Sequence, residues 1–152
     1  MLLSTLCYIE KDNKYLMLHR VKKENDINEG KWIGVGGRFE KDESPEECLI
    51  REIKEETGLT LTSYKLRGIV TYISTKWETE YMYVFIADKF VGELIKCNEG
   101  NLEWIDKNEV LNLKTWEGDK IFLEKLLNDN KFFTIKFNYD DEKLIEYNLK
   151  EY

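Results

Sequence analysis

The 152-residue chain predicts an α+β fold, an α/β/α sandwich in which a mixed β-sheet packs between helices, as one domain over residues 1–152. Three observations lead there. β-rich runs recur from one end of the chain to the other. Only two segments carry apolar residues at helical spacing, and both are separated from each other by strands. The length suits one sizeable core, with no repeat, low-complexity tract or linker to divide it.

Residues 2–9 and 15–21 are β-rich and flank Lys11-Asp12-Asn13-Lys14, a hairpin turn by composition. Residues 22–31 are polar, end in Glu29-Gly30 and read as a loop. Trp32 to Gly37 is short, apolar and glycine-rich, the pattern of one buried strand whose backbone approaches something closely. The first helix runs from Ser44 to Thr57: Ser44 is a good N-cap, Pro45 fits the first turn, Glu47 completes a capping box and Gly58 supplies the stop. Two long β-rich runs follow, 62–75 and 80–91, joined near Trp77-Glu78. A short strand covers 102–106. Ile121, Phe122, Leu126 and Leu127 place a second amphipathic helix over 117–128. The stretches 132–139 and 143–149 form a final hairpin that turns at Asp140-Asp141.

A net charge of -7 argues against a protein that coats nucleic acid, and no polymer partner is expected. A small nucleotide remains open, because a bound divalent cation reverses the local sign. Cys7, Cys48 and Cys97 form neither a CxxC pair nor a zinc spacing and read as reduced thiols. The first residues lack a basic stretch before Glu10, and no run approaches the ~20 apolar residues of a membrane span. The expectation is a cytoplasmic monomer without a membrane partner.

The chemistry concentrates in Gly37 to Leu59, GRFEKDESPEECLIREIKEETGL. With Glu52 at zero on a wheel of about 100° per residue, Glu55 and Glu56 fall at about -60° and +40°. Leu49, Ile53 and Thr57 occupy the adjoining arc, so the carboxylates border the core face. Two carboxylates about 5 Å apart repel by about 3 kcal/mol at an effective dielectric of about 20, and the C-terminal half of a helix disfavours anions. Arg51 offsets part of this cost. A hard cation such as Mg²⁺ or Mn²⁺ would offset more. A solvated acidic helix face is the plain alternative, and the glycines on both sides weigh against it.

Gly37, five residues, Glu43, seven residues and then Arg51-Glu52-Ile53-x-Glu55-Glu56-x-Gly58-Leu59 resembles the Nudix box at every defined position. The resemblance implies the Nudix fold and the Mg²⁺- or Mn²⁺-dependent hydrolysis of a nucleoside diphosphate linked to another group. It implies Glu52, Glu55 and Glu56 as metal ligands, joined by the Gly36 carbonyl. Arg51 orients a box glutamate and Glu43 supports the loop-helix junction. Glu99 is the candidate for a further ligand or base from a later loop. Glu56 is the first choice of general base and Glu52 the second. Beyond the box, Trp32-Ile33-Gly34-Val35-Gly36-Gly37 and Trp116-Glu117-Gly118-Asp119 are similar to segments of MutT-like enzymes that hydrolyse oxidised purine nucleoside triphosphates such as 8-oxo-dGTP. On that resemblance Trp116 stacks on the base and Asp119 reads its edge. Ile33 replaces an asparagine and Gly118 an acid, which bears on base choice. Arg20, Lys22, Lys23 and Arg38 are candidate phosphate contacts. The substrate alternatives are a nucleotide sugar or a dinucleoside polyphosphate, and the remote one is a non-catalytic binding domain.

Overall fold

The computed structural model describes residues Met1–Tyr152. Nine strands and two helices follow in the order β1 (Leu2–Lys11), β2 (Lys14–His19), β3 (Trp32–Ile33), β4 (Val35–Arg38), α1 (Pro45–Thr57), β5 (Thr60–Ser74), β6 (Glu80–Val91), β7 (Asn101–Asp106), a single 3-10 turn (Val110–Asn112), α2 (Glu117–Asn128), β8 (Phe133–Asp140) and β9 (Lys143–Glu151). The sheet is mixed. β1 and β6 pair in parallel, as do β5 and β8, while β4, β5–β6 and β8–β9 add antiparallel ladders. No helix is long and apolar enough to cross a membrane.

β1 shows why the sandwich has two cores. Successive strand residues point to opposite faces. Leu6 and Tyr8 join the core that holds Phe122, Leu123 and Leu126 of α2. Cys7 and Ile9 join the other, with Leu49 and Ile53 of α1. One apolar run therefore serves both layers. The turn between β1 and β2 places Asp12 and Asn13 at φ 51° and 61°, the paired left-handed conformation of a tight two-residue hairpin.

The two helices are held by different means. In α1 the Ser44 hydroxyl accepts from the Glu47 amide and the Glu47 carboxylate accepts from the Ser44 amide, so the capping box forms, and Gly58 closes the helix at φ 82°. α2 has no side-chain cap at its start. Its end is bound instead by Arg67, a fully buried residue at a bulge in β5, whose Nη2 donates to the Asp129 carbonyl at 2.6 Å and the Lys131 carbonyl at 3.2 Å.

Most strand limits shift by one or two residues from the sequence reading, and two differences bear on the cleft. Trp32 to Gly37 is two strands, not one: Trp32 and Ile33 pair with β2, whereas Val35–Arg38 pairs with β1. The chain changes partner at Gly34, where a Cβ would stand 2.7 Å from the Cys7 carbonyl oxygen. β2 ends at His19, not at residue 21, because Arg20 turns the chain into the following loop and receives it back: its carbonyl accepts from Gly30 at 2.7 Å and its amide donates to Lys31 at 2.9 Å.

Candidate active site

One cleft runs between the loop after β2, the β4–α1 junction and the β5–β6 connection. It has two lobes that share Ile27, Asn28, Ile33, Trp77 and Glu80 as walls. The larger lobe, about 1300 Å³, takes in Gly36, Gly37, Glu52, Glu55, Glu56 and Glu99, with Lys23, Arg38, Lys76 and Lys114 at its rim. The smaller, about 140 Å³, is walled mainly by aromatic and apolar groups and reaches Trp116, Tyr72, Tyr139 and Asp119. Eleven of the twelve site positions singled out from the sequence beyond the Arg51–Glu43 pair thus line one continuous space: Gly36, Glu52, Glu55, Glu56, Glu99, Arg20, Lys23, Ile33 and Arg38 in the larger lobe, Trp116 and Asp119 in the smaller. Lys22 does not. Its Nζ donates to the Cys97 carbonyl at 3.1 Å.

Arg51 organises the acidic end. Its Nε and Nη2 donate to the two oxygens of Glu43 at 2.7 and 2.9 Å, a bidentate pair that pulls the Glu43 carboxyl down to about 2. Nη1 donates to Glu52 at 2.8 Å and to Glu55 at 3.1 Å, and Nη2 also reaches the Arg38 carbonyl at 3.0 Å. Glu52 is only 13% exposed, and burial pushes its carboxyl up despite Arg51. It lies directly over Gly37, where a Cβ would meet the carboxylate at 2.4 Å. Glycine is required there for that contact, not for its backbone angle. Glu55, at 56% exposure, stands at the outer rim.

Glu56 sits deeper. Burial, then the charge of Glu99 and a hydrogen bond with it, push the Glu56 carboxyl up to about 8. The Cys97 thiol donates to the same carboxylate at 3.6 Å. On its far side Glu99 pairs with Arg20, whose Nη1 lies 3.1 Å from it.

A divalent cation suits this donor set. Carboxylate and carbonyl oxygens are hard ligands, the Gly37 cradle leaves room for the Glu52 carboxylate, and Glu56 and Glu99 face each other as two carboxylates that a cation would hold together. The carboxylates are not gathered into a ready-made cluster of three ligands. Glu52 is turned to Arg51 and Glu99 to Arg20, so the chain's own cations occupy the oxygens.

At the apolar end Trp116 is both core and wall. It is 8% exposed and belongs to the α2-side core. Its Nε1 donates to the Asn28 side chain at 2.7 Å, and Trp77 and Tyr139 meet it edge to face. Lys31 Nζ stands 4.4 Å over the indole and pairs with Glu142 at 2.6 Å, so one indole face is already covered. Asp119 is buried, accepts from the Tyr72 hydroxyl at 2.7 Å, and is pushed up to about 7 by burial, with Glu80 adding to the effect. Gly118 has no room for a side chain: a Cβ would stand 2.7 Å from the Tyr139 hydroxyl, which accepts the Gly118 amide.

Sequence reasoning missed Asn28, Tyr72 and Glu80. Glu80 had a signal. It alternates in β6 with the core residues Met82 and Val84 and therefore points inward, where a carboxylate needs a partner, here the Ser4 hydroxyl. Asn28 had none, since nothing local says that a loop asparagine meets a tryptophan 88 residues away.

Comparison with known proteins places the chain in a family. The model of the family described as NUDIX domain matches residues 2–126. A Bacillus subtilis (strain 168) protein named uncharacterized Nudix hydrolase YvcI is 31% identical over 151 residues, covering 95% of this chain and 92% of that one. The Danio rerio oxidized purine nucleoside triphosphate hydrolase is 29% identical over 131 residues, covering 85% of this chain and 83% of its own. The crystal structure of a mutator MutT protein from Bacillus halodurans superposes with a TM-score of 0.89 at 31% identity, over 99% of this chain and 98% of that one.

Proposed function

This chain belongs to the Nudix family of pyrophosphate-bond hydrolases, and from that premise we propose that it cleaves a nucleoside or deoxynucleoside triphosphate, with Mg²⁺ or Mn²⁺, to the monophosphate and pyrophosphate. An oxidised purine such as 8-oxo-dGTP is the leading substrate. The observation that carries the reading is the two-lobed cleft: a carboxylate lobe rimmed by lysines and arginines opens into an aromatic lobe with a buried carboxyl at its end. The first suits a polyphosphate with its cations, the second a base.

Glu52, Glu56 and Glu99, with the Gly36 carbonyl, are the proposed metal-holding groups, and Glu55 adds charge at the rim. When bound, the metal neutralises phosphate charge and acidifies a bound water. Arg51 keeps Glu52 in one orientation while Glu43 keeps Arg51 in place. Glu56 is the proposed general base, with Glu52 the second choice: burial and the neighbouring Glu99 raise the affinity of the ionised Glu56 carboxylate for a proton. Lys23 and Arg38 are placed to meet phosphate oxygens from the rim. Ile33, Trp116 and Asp119 form the base lobe, where Asp119 reads a polar edge while Ile33 supplies only an apolar wall. A small nucleotide in a cytoplasmic, monomeric protein is the matching context, without a polymer or membrane partner.

The size of the larger lobe favours a second reading, a nucleoside diphosphate carrying another group, such as a nucleotide sugar or dinucleoside polyphosphate. Incubation with Mg²⁺ and a panel of standard and oxidised nucleoside triphosphates separates the two. Pyrophosphate release is the expected result. Release of none from the triphosphates, with turnover of a nucleotide sugar or dinucleoside polyphosphate, would replace the first reading by the second.

A further inference from the structure

Arg20 is a buried cation with two carboxylate partners that belong to different parts of the cleft. Its Nε lies 2.7 Å from Asp26 Oδ2, and its Nη1 lies 3.1 Å from Glu99 Oε2. The Asp26 contact is close but poorly aligned for a hydrogen bond, so it is an ion pair held by charge. Side-chain exposures of 9% for Arg20, 5% for Asp26 and 30% for Glu99 leave little water to screen either pair.

Each partner leads onward. Glu99 is hydrogen-bonded to Glu56, and its backbone carbonyl accepts from the Lys22 amide at 3.4 Å. Gly100 packs so closely on β2 that a Cβ there would overlap the His19 carbonyl, 1.9 Å away. Asp26 accepts from the Asn28 amide at 3.2 Å through its side chain and from the Glu29 amide at 2.9 Å through its carbonyl. Asn28 in turn receives the Trp116 indole N–H. Glu56, Glu99, Arg20, Asp26, Asn28 and Trp116 are therefore linked without a gap from the carboxylate lobe to the aromatic lobe.

We propose that Arg20 is a positioning residue that acts as a displaceable counter-ion: it holds Glu99 beside Glu56 until a divalent cation takes Glu99 over, and the exchange loosens the Asp26–Asn28 loop that walls the aromatic lobe. The inference rests on the reading of Glu99 as a metal ligand. Its physical core is competition. Arg20 and a divalent cation both need the Glu99 carboxylate, and a cation that takes it removes one of the two ionic contacts that hold Arg20, and with it the loop, in place. A ligand shifts such an equilibrium only by its differential affinity for the two arrangements, which here is the Glu99 contact itself.

The competition has opposite signs at its two ends, which a purely structural arginine would not show. Mn²⁺ binding to the nucleotide-free protein is followed by electron paramagnetic resonance, and amide hydrogen exchange is followed in residues 22–31 with and without Mn²⁺. In the unaltered protein Mn²⁺ speeds exchange in that loop. Arg20→Gln tightens Mn²⁺ binding about fivefold, since Glu99 no longer has to be released from a partly buried pair. The same variant exchanges the loop fast whether or not Mn²⁺ is present. Arg20→Lys, which keeps the charge, restores most of both properties. Unchanged or weaker Mn²⁺ binding in Arg20→Gln overturns the proposal. So does a loop in the unaltered protein whose exchange ignores bound Mn²⁺, a result that needs no variant to fold. Failure of the unaltered protein to bind Mn²⁺ at all overturns both this inference and the metal reading beneath it, whereas the other negative results leave the metal reading standing.

Discussion

The two ends of the cleft are built in contrasting ways. The carboxylate end draws nearly all its proposed metal-holding groups from one contiguous stretch, Gly36 to Glu56, whose internal spacing places them: a strand edge, a capped helix, and Arg51 tying Glu43, Glu52 and Glu55 together within that stretch. Glu99 is the single visitor. The aromatic end draws on six distant segments, with Asn28, Ile33, Tyr72, Glu80, Trp116 and Tyr139 each arriving on a different loop, strand or helix. The difference teaches that reaction and selectivity are stored differently in this chain. Helical geometry holds the first, and the packing of the whole sandwich holds the second.

If that contrast is right, the strongest lever is Glu56. Glu56→Gln removes a general base and is expected to lower kcat by about 10²- to 10⁴-fold while leaving the protein folded, as a circular dichroism spectrum checks. Wild-type-like turnover would remove Glu56 from its role. Arg51→Gln comes next. It unties Glu43, Glu52 and Glu55 at once and leaves the mostly buried Glu52 without its cation, with an expected stability loss of about 1–3 kcal/mol and a fall in kcat. A denaturant melt and a steady-state assay on the same preparation check both effects.

Changes at the aromatic end should move substrate choice more than turnover. Ile33→Asn places an amide in the wall shared by both lobes. It is expected to alter the ratio of kcat/KM between two nucleoside triphosphates by about tenfold, with kcat on the better one nearly constant. Equal loss on every substrate would show that the two ends are not separable. The smallest effect concerns pH. Burial raises the Asp119 carboxyl from 3.8 to about 7, so the folded state favours the protonated form. The stability this gives is complete below about pH 3.8 and is lost as pH rises through about 7. Asp119→Asn, which cannot ionise, should therefore gain in Tm relative to the unaltered protein between pH 5 and pH 8. The opposite trend would mean that Asp119 is charged in the fold.

The limits of the sequence reading follow the same line. α1 was legible to the residue because capping box, first-turn proline and closing glycine are all local signals. The strand over 32–37 was not, because a chain that changes pairing partner at Gly34 shows the same apolar run as one that does not. Trp116 illustrates the middle ground. Its place in a segment similar to MutT-like enzymes marked it, but only the fold shows Lys31 over one face and Asn28 on its nitrogen. Glu99 was marked by the resemblance, which implies a ligand or base from a later loop, and its two neighbours, Glu56 and Arg20, come from α1 and from just past the end of β2.

By itself the sequence determined the family, the order of the elements and the carboxylate helix, because spacing along one helix places side chains without help from the rest of the chain. Only the tertiary structure decided which cation holds Glu99, that Trp116 and Asp119 close an aromatic lobe with Tyr72 and Glu80, and that Arg20 joins the two ends. Those contacts are made between segments tens of residues apart. Burial gives them their strength, and burial exists only once both cores of the sandwich have closed.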